Sequence, residues 1–449
     1  MLDSQAKNRT IEQETNVSLN VQTPLEDQPL LIENEHDKNN QTKLTEPKMT
    51  ATPAPPPTKA LFLDGLRGLA ALLVVAQHSH EYIQGINIGA TAVDTFFVLS
   101  SFLLTWLFIN KSVRLLNEGA GLLKWGYMLI DYFSKRFFRV YPLFAFTCIT
   151  LWFMDDGNRT HYFLKKSDKT FDLFKTLTFD FEHRYFVFWT LPLEISYYFI
   201  IPVFVLGTLM LHKYWWLPFL PAYYWVITQG WSEYRTSHSK LLPHIPTFLA
   251  GSMAATIYVK LNMWIIASGF EFRFYHKVLL RLINYTAFAV FLSVAFHGLF
   301  FVWVHENVAP QTPGFHFVSV LLTIIIVCEM LLPSPLSSIL EWSFLRYWGK
   351  ISFSVYLLHG FVVYNKTLSH QGDYYCRLFS RFGVLGLLAT VTYYLVEYPS
   401  QKFAQRITKI LNEQEAKGSR SMNDIWSGWS KQISISLRND LNCKETPPV

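Results

Sequence analysis

The stretch Leu61-Phe-Leu-Asp-Gly-Leu-Arg67-Gly-Leu-Ala-Ala-Leu-Leu-Val-Val-Ala-Gln-His78 decides how this chain is read. Eleven helical steps lead from Arg67 to His78, about three turns of α-helix plus 20°, so the two side chains share a face about 16 Å apart along the axis. Nearly everything between them is apolar, which predicts a helix that enters a bilayer. Arg67 then lies near one membrane surface and His78 near the middle. An ionisable group at that depth is costly and points to function. The structural alternative is an arginine that snorkels to the interface and a histidine bonded to a neighbouring helix.

The rest of the chain agrees with a membrane. Of 449 residues, 51% are hydrophobic, 17% aromatic and only 16% charged, below the roughly 25% charged residues of soluble domains. The 14 Trp, 23 Tyr and 38 Phe suit aromatic belts at both interfaces. The net charge of +6 is accounted for by basic loops, and no basic domain suggests a nucleic-acid partner. Cys148, Cys328, Cys376 and Cys443 are scattered, with no CxxC spacing, which argues against a disulfide framework or a zinc site.

Ten apolar segments follow, near 62–82, 90–110, 137–154, 185–210, 214–230, 244–261, 278–304, 316–334, 345–365 and 378–397. The expected fold is therefore all-α, a polytopic transmembrane bundle of about ten helices. Residues 1–60 lack aromatic residues and carry Pro53-Ala-Pro-Pro-Pro57 near their end, the composition of a disordered tail without the pattern of a secretory signal. The transmembrane domain is expected over 61–405 and a polar tail over 406–449. The stretches 111–134 and 401–410 read as interfacial amphipathic segments.

Loop charge sets the orientation. Lys111, Arg114, Lys124, Lys135, Arg136 and Arg139 outweigh Glu118 and Asp131 in one connection, Arg273, Lys277 and Arg281 mark another, and Lys402, Arg406 and Lys409 follow the last helix. All three fall on one side if both termini are cytoplasmic. The 155–184 loop is nearly balanced and belongs outside, with the 231–242 turn. Asn158-Arg-Thr160 is a glycosylation sequon on that outer loop; use of Asn8, Asn16 or Asn40 would reverse the topology. A multi-pass protein of the endoplasmic reticulum, Golgi or plasma membrane is expected.

Further polar residues punctuate the spans. Arg136 and Arg139, at i and i+3, share a helix face and with Arg67 would form a phosphate-binding patch; ordinary positive-inside anchoring is the plainer reading. Glu194 closes Trp189-Thr-Leu-Pro-Leu-Glu194, roughly halfway into the fourth span, and needs a partner, for which His78 or another helix is available. Asp94 caps the second span or approaches His78. Ser352, Ser354, Tyr356 and His359 recur along one later span, a pattern that usually packs helices together. Glu397 is expected to pair with an arginine of the patch.

Read in order, these residues resemble the acyltransferase-3 family of integral membrane O-acyltransferases, over about 60–405. The carriers are Leu-Asp-Gly-Leu-Arg67-x10-His78; Val93-Asp-Thr-Phe-Phe-Val-Leu-Ser-Ser-Phe102, where Ser101 replaces the usual Gly; Arg136-x-x-Arg139 before Val-Tyr-Pro142; Trp189 to Glu194; Ile351-Ser-Phe-Ser-Val-Tyr-Leu-Leu-His359; and Val396-Glu-Tyr-Pro399. The resemblance implies transfer of an acyl group, commonly acetyl, from acyl-CoA to a hydroxyl of a glycan or small metabolite. Arg67, Arg136 and Arg139 would bind the CoA phosphates and His78 would act as general base, with Glu194 orienting it. A covalent acyl-His78 is a variant of that scheme. Tyr356 or Ser354 could stabilise an oxyanion, His359 and Asp94 could support the site, and no metal is required. A transporter of a small solute or lipid is the reading from another class.

Overall fold

The computed structural model describes residues 60–81, 88–163, 171–180, 183–232, 241–296, 299–301 and 316–415. The chain divides between Leu61 and Phe62, and the helical bundle belongs to the unit from Phe62 onward. The expected tail over 1–59, the part of the C-terminal tail beyond Glu415, most of the 231–242 turn, Asn8, Asn16, Asn40 and Cys443 lie outside the described residues.

No strand occurs among the described residues. The helices are α1 (Leu61–Ser79), α2 (Ile88–Asn117), α3 (Leu122–Phe153), α4 (Asp156–Tyr162), α5 (Leu173–Leu177), α6 (Thr190–Met210), α7 (Phe219–Ser232), α8 (Ile245–Ser268), α9 (Phe274–Ala295), α10 (His316–Leu331), α11 (Pro335–Leu340), α12 (Ser343–Lys350), α13 (Ser352–Val363), α14 (Lys366–Ser369) and α15 (Tyr374–Thr392). Among the described residues, six helical stretches are long and apolar enough to cross a membrane: Leu61–Ser79, Ile88–Asn117, Phe186–Met210, Leu242–Ser268, Phe274–Ala295 and Tyr374–Glu415. Val318–Leu331 and Ser352–Val363 are shorter apolar helices.

The differences from ten uniform spans have local causes. The 345–365 segment splits at Ile351, whose ψ of 6° ends α12 before α13 begins. The 214–230 segment becomes a 3-10 turn at His212–Tyr214 and then α7, interrupted around Pro218, because proline cannot donate to the ladder of the preceding turn. The separate interfacial segment over 111–134 is replaced by two helix ends: α2 runs on to Asn117 and α3 starts at Leu122. Asp131 joins them, bonded to Lys111 at 2.9 Å and Lys135 at 3.4 Å, and it accepts from Thr408 at 2.5 Å. The stretch 401–410 likewise continues the last helix, which passes through a π-turn at Tyr393–Glu397 and runs on to Glu415.

In lipid the drive to pack helices comes from close contact and buried polar bonds more than from hiding apolar surface. The pairing of α2 with α8 shows both. A Cβ on Gly251 would lie 2.1 Å from Ser101 Oγ and 2.7 Å from the Val98 carbonyl, so glycine is what lets the backbones meet. Ser101 is therefore accommodated where the family resemblance leads one to expect glycine: its hydroxyl bonds back to Phe97 O at 2.9 Å, and the small residue is supplied by the opposite helix. Thr105 Oγ1 donates to Ser252 Oγ at 2.9 Å, and Tyr197 Oη meets the same atom at 2.9 Å. Large apolar side chains such as Phe199, Val203, Leu279 and Leu282 stay exposed, the outward face that acyl chains cover.

Helix α1 sits against α11 and α12 by the same device. A Cβ on Gly65 would fall 1.6 Å from the Leu340 carbonyl oxygen, one on Gly68 2.0 Å from that of Leu345, and one on Gly349 1.9 Å from that of Asp64. The turn bearing Arg67 is thereby locked at backbone contact. One core cluster then gathers Ala70 and Val74 of α1, Leu143 and Phe144 of α3, Tyr185 and Phe188 ahead of α6, and Tyr356 and Leu357 of α13.

Candidate active site

Residue His78 occupies the last turn of α1. Its ring lies 5.1 Å from that of His359 on α13, at 37°, and 4.9 Å edge-on from that of Phe186. His359 is 0% exposed. Its Nδ1 lies 2.7 Å from the Tyr356 carbonyl. A carbonyl oxygen only accepts, so Nδ1 carries the hydrogen and Nε2 presents a lone pair. Among the described residues, that buried Nε2 has no hydrogen-bond partner. The sequence pattern had suggested a satisfied, helix-packing histidine, and the structure satisfies only half of it.

The aromatic wall over the two histidines comes from an irregular segment. Phe186 opens the 3-10 turn Phe186–Trp189 with φ at 46°, a left-handed conformation that a non-glycine residue adopts at a cost. Its ring is 5.1 Å from His359 and 5.5 Å from Tyr364, and it touches Gly360 closely enough that a Cβ there would lie 3.0 Å from it. Below it, Tyr356 donates to the Val187 carbonyl at 3.2 Å and accepts from Thr190 Oγ1 at 3.1 Å.

Half-buried Glu194 on α6 receives hydrogen bonds from Ser100 of α2 and from Tyr198, the latter at 2.8 Å. It is within electrostatic range of Tyr356. Arg136 is in range of Tyr132 and Tyr198, and Tyr132 Oη donates to the Tyr198 carbonyl at 3.1 Å. Arg139, one turn further on α3, instead faces Glu397 and Tyr393. Glu397 is 1% exposed and accepts from Ser354. The arginine whose charge acts on Glu397 is thus Arg139, at the π-turn that ends the family-like stretch. The two arginines, three residues apart on α3, act on different groups: Arg136 on Tyr132 and Tyr198, Arg139 on Glu397 and Tyr393.

Several expected participants are committed elsewhere. The proton of Ser354 goes to Glu397 and that of Tyr356 to Val187, so in this conformation neither aims at a reacting oxygen. Asp94 is 0% exposed and lies six residues inside α2, which removes the helix-cap role expected for it. Arg67 sits half-buried on the glycine-contacted turn of α1, at the opposite end of that helix from His78. The residues that sequence reasoning passed over are Ser100, Tyr198, Thr190 and Phe186. Tyr198, four residues from Glu194, was legible as a same-face neighbour; nothing local distinguishes Phe186 from 37 other phenylalanines. No group of three or more His, Cys, Asp or Glu side chains able to hold a metal ion occurs among the described residues.

Comparison with known proteins places this arrangement. The chain is 37% identical over 92 residues to "Protein 2 in picA locus" from Rhizobium radiobacter, which is 20% of this chain and 42% of that protein. The chain therefore matches less than half the length of that relative. No solved structure matches. The sequence profile described as "Acyltransferase domain", that of the acyltransferase-3 family, matches residues 61–396, from the start of α1 to the π-turn before Glu397. With three quarters of its length inside that profile, six helices built to cross a bilayer and Arg67 and His78 at opposite ends of the first, this chain belongs to the acyltransferase-3 family of membrane acyltransferases.

Proposed function

We propose that this protein is an O-acyltransferase that moves an acyl group, acetyl being the first to test, from acyl-CoA to a hydroxyl of a glycan or small metabolite at the membrane. The observation that carries the proposal is the placement of His78 beside His359 within the helical bundle, about 16 Å along α1 from Arg67. Both termini face the cytoplasm in this reading. Arg67, Arg136 and Arg139 bind the phosphates of CoA at the cytoplasmic edge, where guanidinium groups match phosphate oxygens in pairs. The extended pantetheine arm brings the thioester toward His78.

The neutral His78 ring takes the proton of the acceptor hydroxyl as its oxygen attacks the thioester carbonyl. The tetrahedral intermediate collapses with cleavage of the carbon–sulfur bond. The imidazolium returns the proton to the departing CoA sulfur, leaving ester and free CoA. Glu194, held by Ser100 and Tyr198, supplies a fixed negative charge that favours the transient imidazolium through space.

Release of CoA from acetyl-CoA by the purified protein in detergent, with water as the default acceptor, tests the reading. Loss of release in His78→Ala at an unchanged thermal midpoint supports it. Release that survives in His78→Ala removes the histidine base. Failure of the wild type both to bind and to cleave acetyl-CoA removes the donor.

A further inference from the structure

A buried nitrogen with no hydrogen-bond partner is costly to keep, and this fold holds one at His359. The Tyr356 carbonyl locks His359 into the tautomer with hydrogen on Nδ1. Nε2 is left as a hydrogen-bond acceptor with no donor among the described residues, on a side chain that is 0% exposed. Its ring stands beside His78, and Phe186, held in a left-handed conformation, closes over both. Strain of that kind persists where the surroundings over-determine it and often marks a functional wall.

We infer that His359 Nε2 and Phe186 form a second hydroxyl-binding subsite beside His78, and that the acceptor is a vicinal diol, of which a sugar ring is the commonest form. The inference rests on the acyltransfer reading of His78. A lone pair on neutral imidazole accepts only from a donor, so the occupant is not a thioester oxygen, a phosphate or a carboxylate. One hydroxyl has one hydrogen and cannot satisfy both histidines. Two neighbouring hydroxyls can: the first gives its proton to His78 and attacks, and the second donates to His359 and sets the face presented. Phe186 offers an apolar ring to the C–H side of the same molecule. Its displacement from Gly360 and Tyr364 is the movement that opens the subsite. His359 is thus a specificity residue, separate from the donor site at Arg67.

The test compares cis-cyclohexane-1,2-diol with cyclohexanol as acceptors of acetyl from acetyl-CoA, using full-length protein in detergent. Variants are His359→Asn, whose amide can keep the bond to Tyr356 but lacks Nε2, and His359→Gln, whose carbonyl oxygen can stand near Nε2. The wild type should favour the diol by roughly five- to tenfold in kcat/KM, the worth of one hydrogen bond. His359→Asn should lose that preference and His359→Gln should recover part of it. Equal use of both acceptors by the wild type, or a preference that His359→Asn retains, overturns the inference. A second arm needs no turnover: the diol should raise the thermal midpoint of the wild type more than cyclohexanol does, and the difference should vanish in His359→Asn. If no CoA is released but this binding difference is seen, the donor reading fails and the subsite stands. If the two alcohols shift the midpoint equally, the subsite falls whatever the turnover.

Discussion

The carboxylate of Glu81 is bonded to Arg381, 2.6 Å from its Nη1, three residues beyond His78. Arg377 grips the other oxygen at 2.5 Å. Both arginines lie on α15, and Arg381 is 5% exposed and reaches Ser369 at 3.2 Å. The end of α1, where a helix would otherwise fray, is therefore tied to the last transmembrane helix at the turn that holds His78.

This tie carries a pH dependence. Burial by itself would raise the Glu81 pKa, but the hydrogen bonds and charges of Arg377 and Arg381 outweigh it and hold the group below its ordinary 4.5. A depressed folded pKa contributes stability that is present above the unfolded value and lost as pH falls through the folded one. The thermal midpoint should drop as pH is lowered below about 4.5. Glu81→Gln should start lower and change less over that range. Parallel acid curves for the two proteins would remove Glu81 from the account.

Packing of α1 sets a second expectation. Alanine at Gly68 or Gly349 would place a methyl about 2 Å from a backbone carbonyl, so one helix must move. Overpacking of this kind costs about 1–3 kcal/mol. Gly349→Ala should lower the detergent melting midpoint and, by shifting the Arg67 turn, weaken acetyl-CoA binding measured by calorimetry. A control at Gly383 of α15, where a Cβ meets nothing within 4 Å, should lower neither, since alanine is the better helix former there.

Removal of the Ser354 hydroxyl tests the π-turn. Glu397 would keep Arg139 but lose its buried donor, a loss of about 1–3 kcal/mol. Ser354→Ala should melt earlier, and adding Glu397→Gln should restore part of the loss, since a neutral amide needs less compensation than a buried carboxylate. Two losses that simply add would show that the pair is not coupled.

Sidedness gives a fourth prediction. His161 Nε2 contacts the Tyr364 carbonyl at 2.6 Å, so the loop bearing the exposed sequon Asn158 lies on the same face as the end of α13, and Asn365 and Cys376 follow shortly after. In sealed vesicles with Cys443→Ser, a membrane-impermeant maleimide should label Cys376 and an introduced Asn158→Cys from the same side. Labelling from opposite sides would break the topology.

Much of the bundle was legible in the chain because lipid imposes a one-dimensional rule: long apolar runs must form helices, since no water is there to satisfy an open backbone. The apolar runs around α1, α2, α6, α8, α9 and α15 announced themselves in that way, and so did the spacing of Arg67 to His78 and of Arg136 to Arg139, because helical periodicity alone sets which side chains share a face. Tertiary structure decided the partners. Glu194 turned to Ser100 and Tyr198, Asp94 moved from a cap into the interior, and the ring beside His78 is that of His359, nearly three hundred residues away. Such choices depend on where Gly65, Gly68, Gly251 and Gly349 let backbones touch and on the left-handed backbone at Phe186. These are contacts between segments remote in sequence, and periodicity within one helix carries no information about which neighbour it meets.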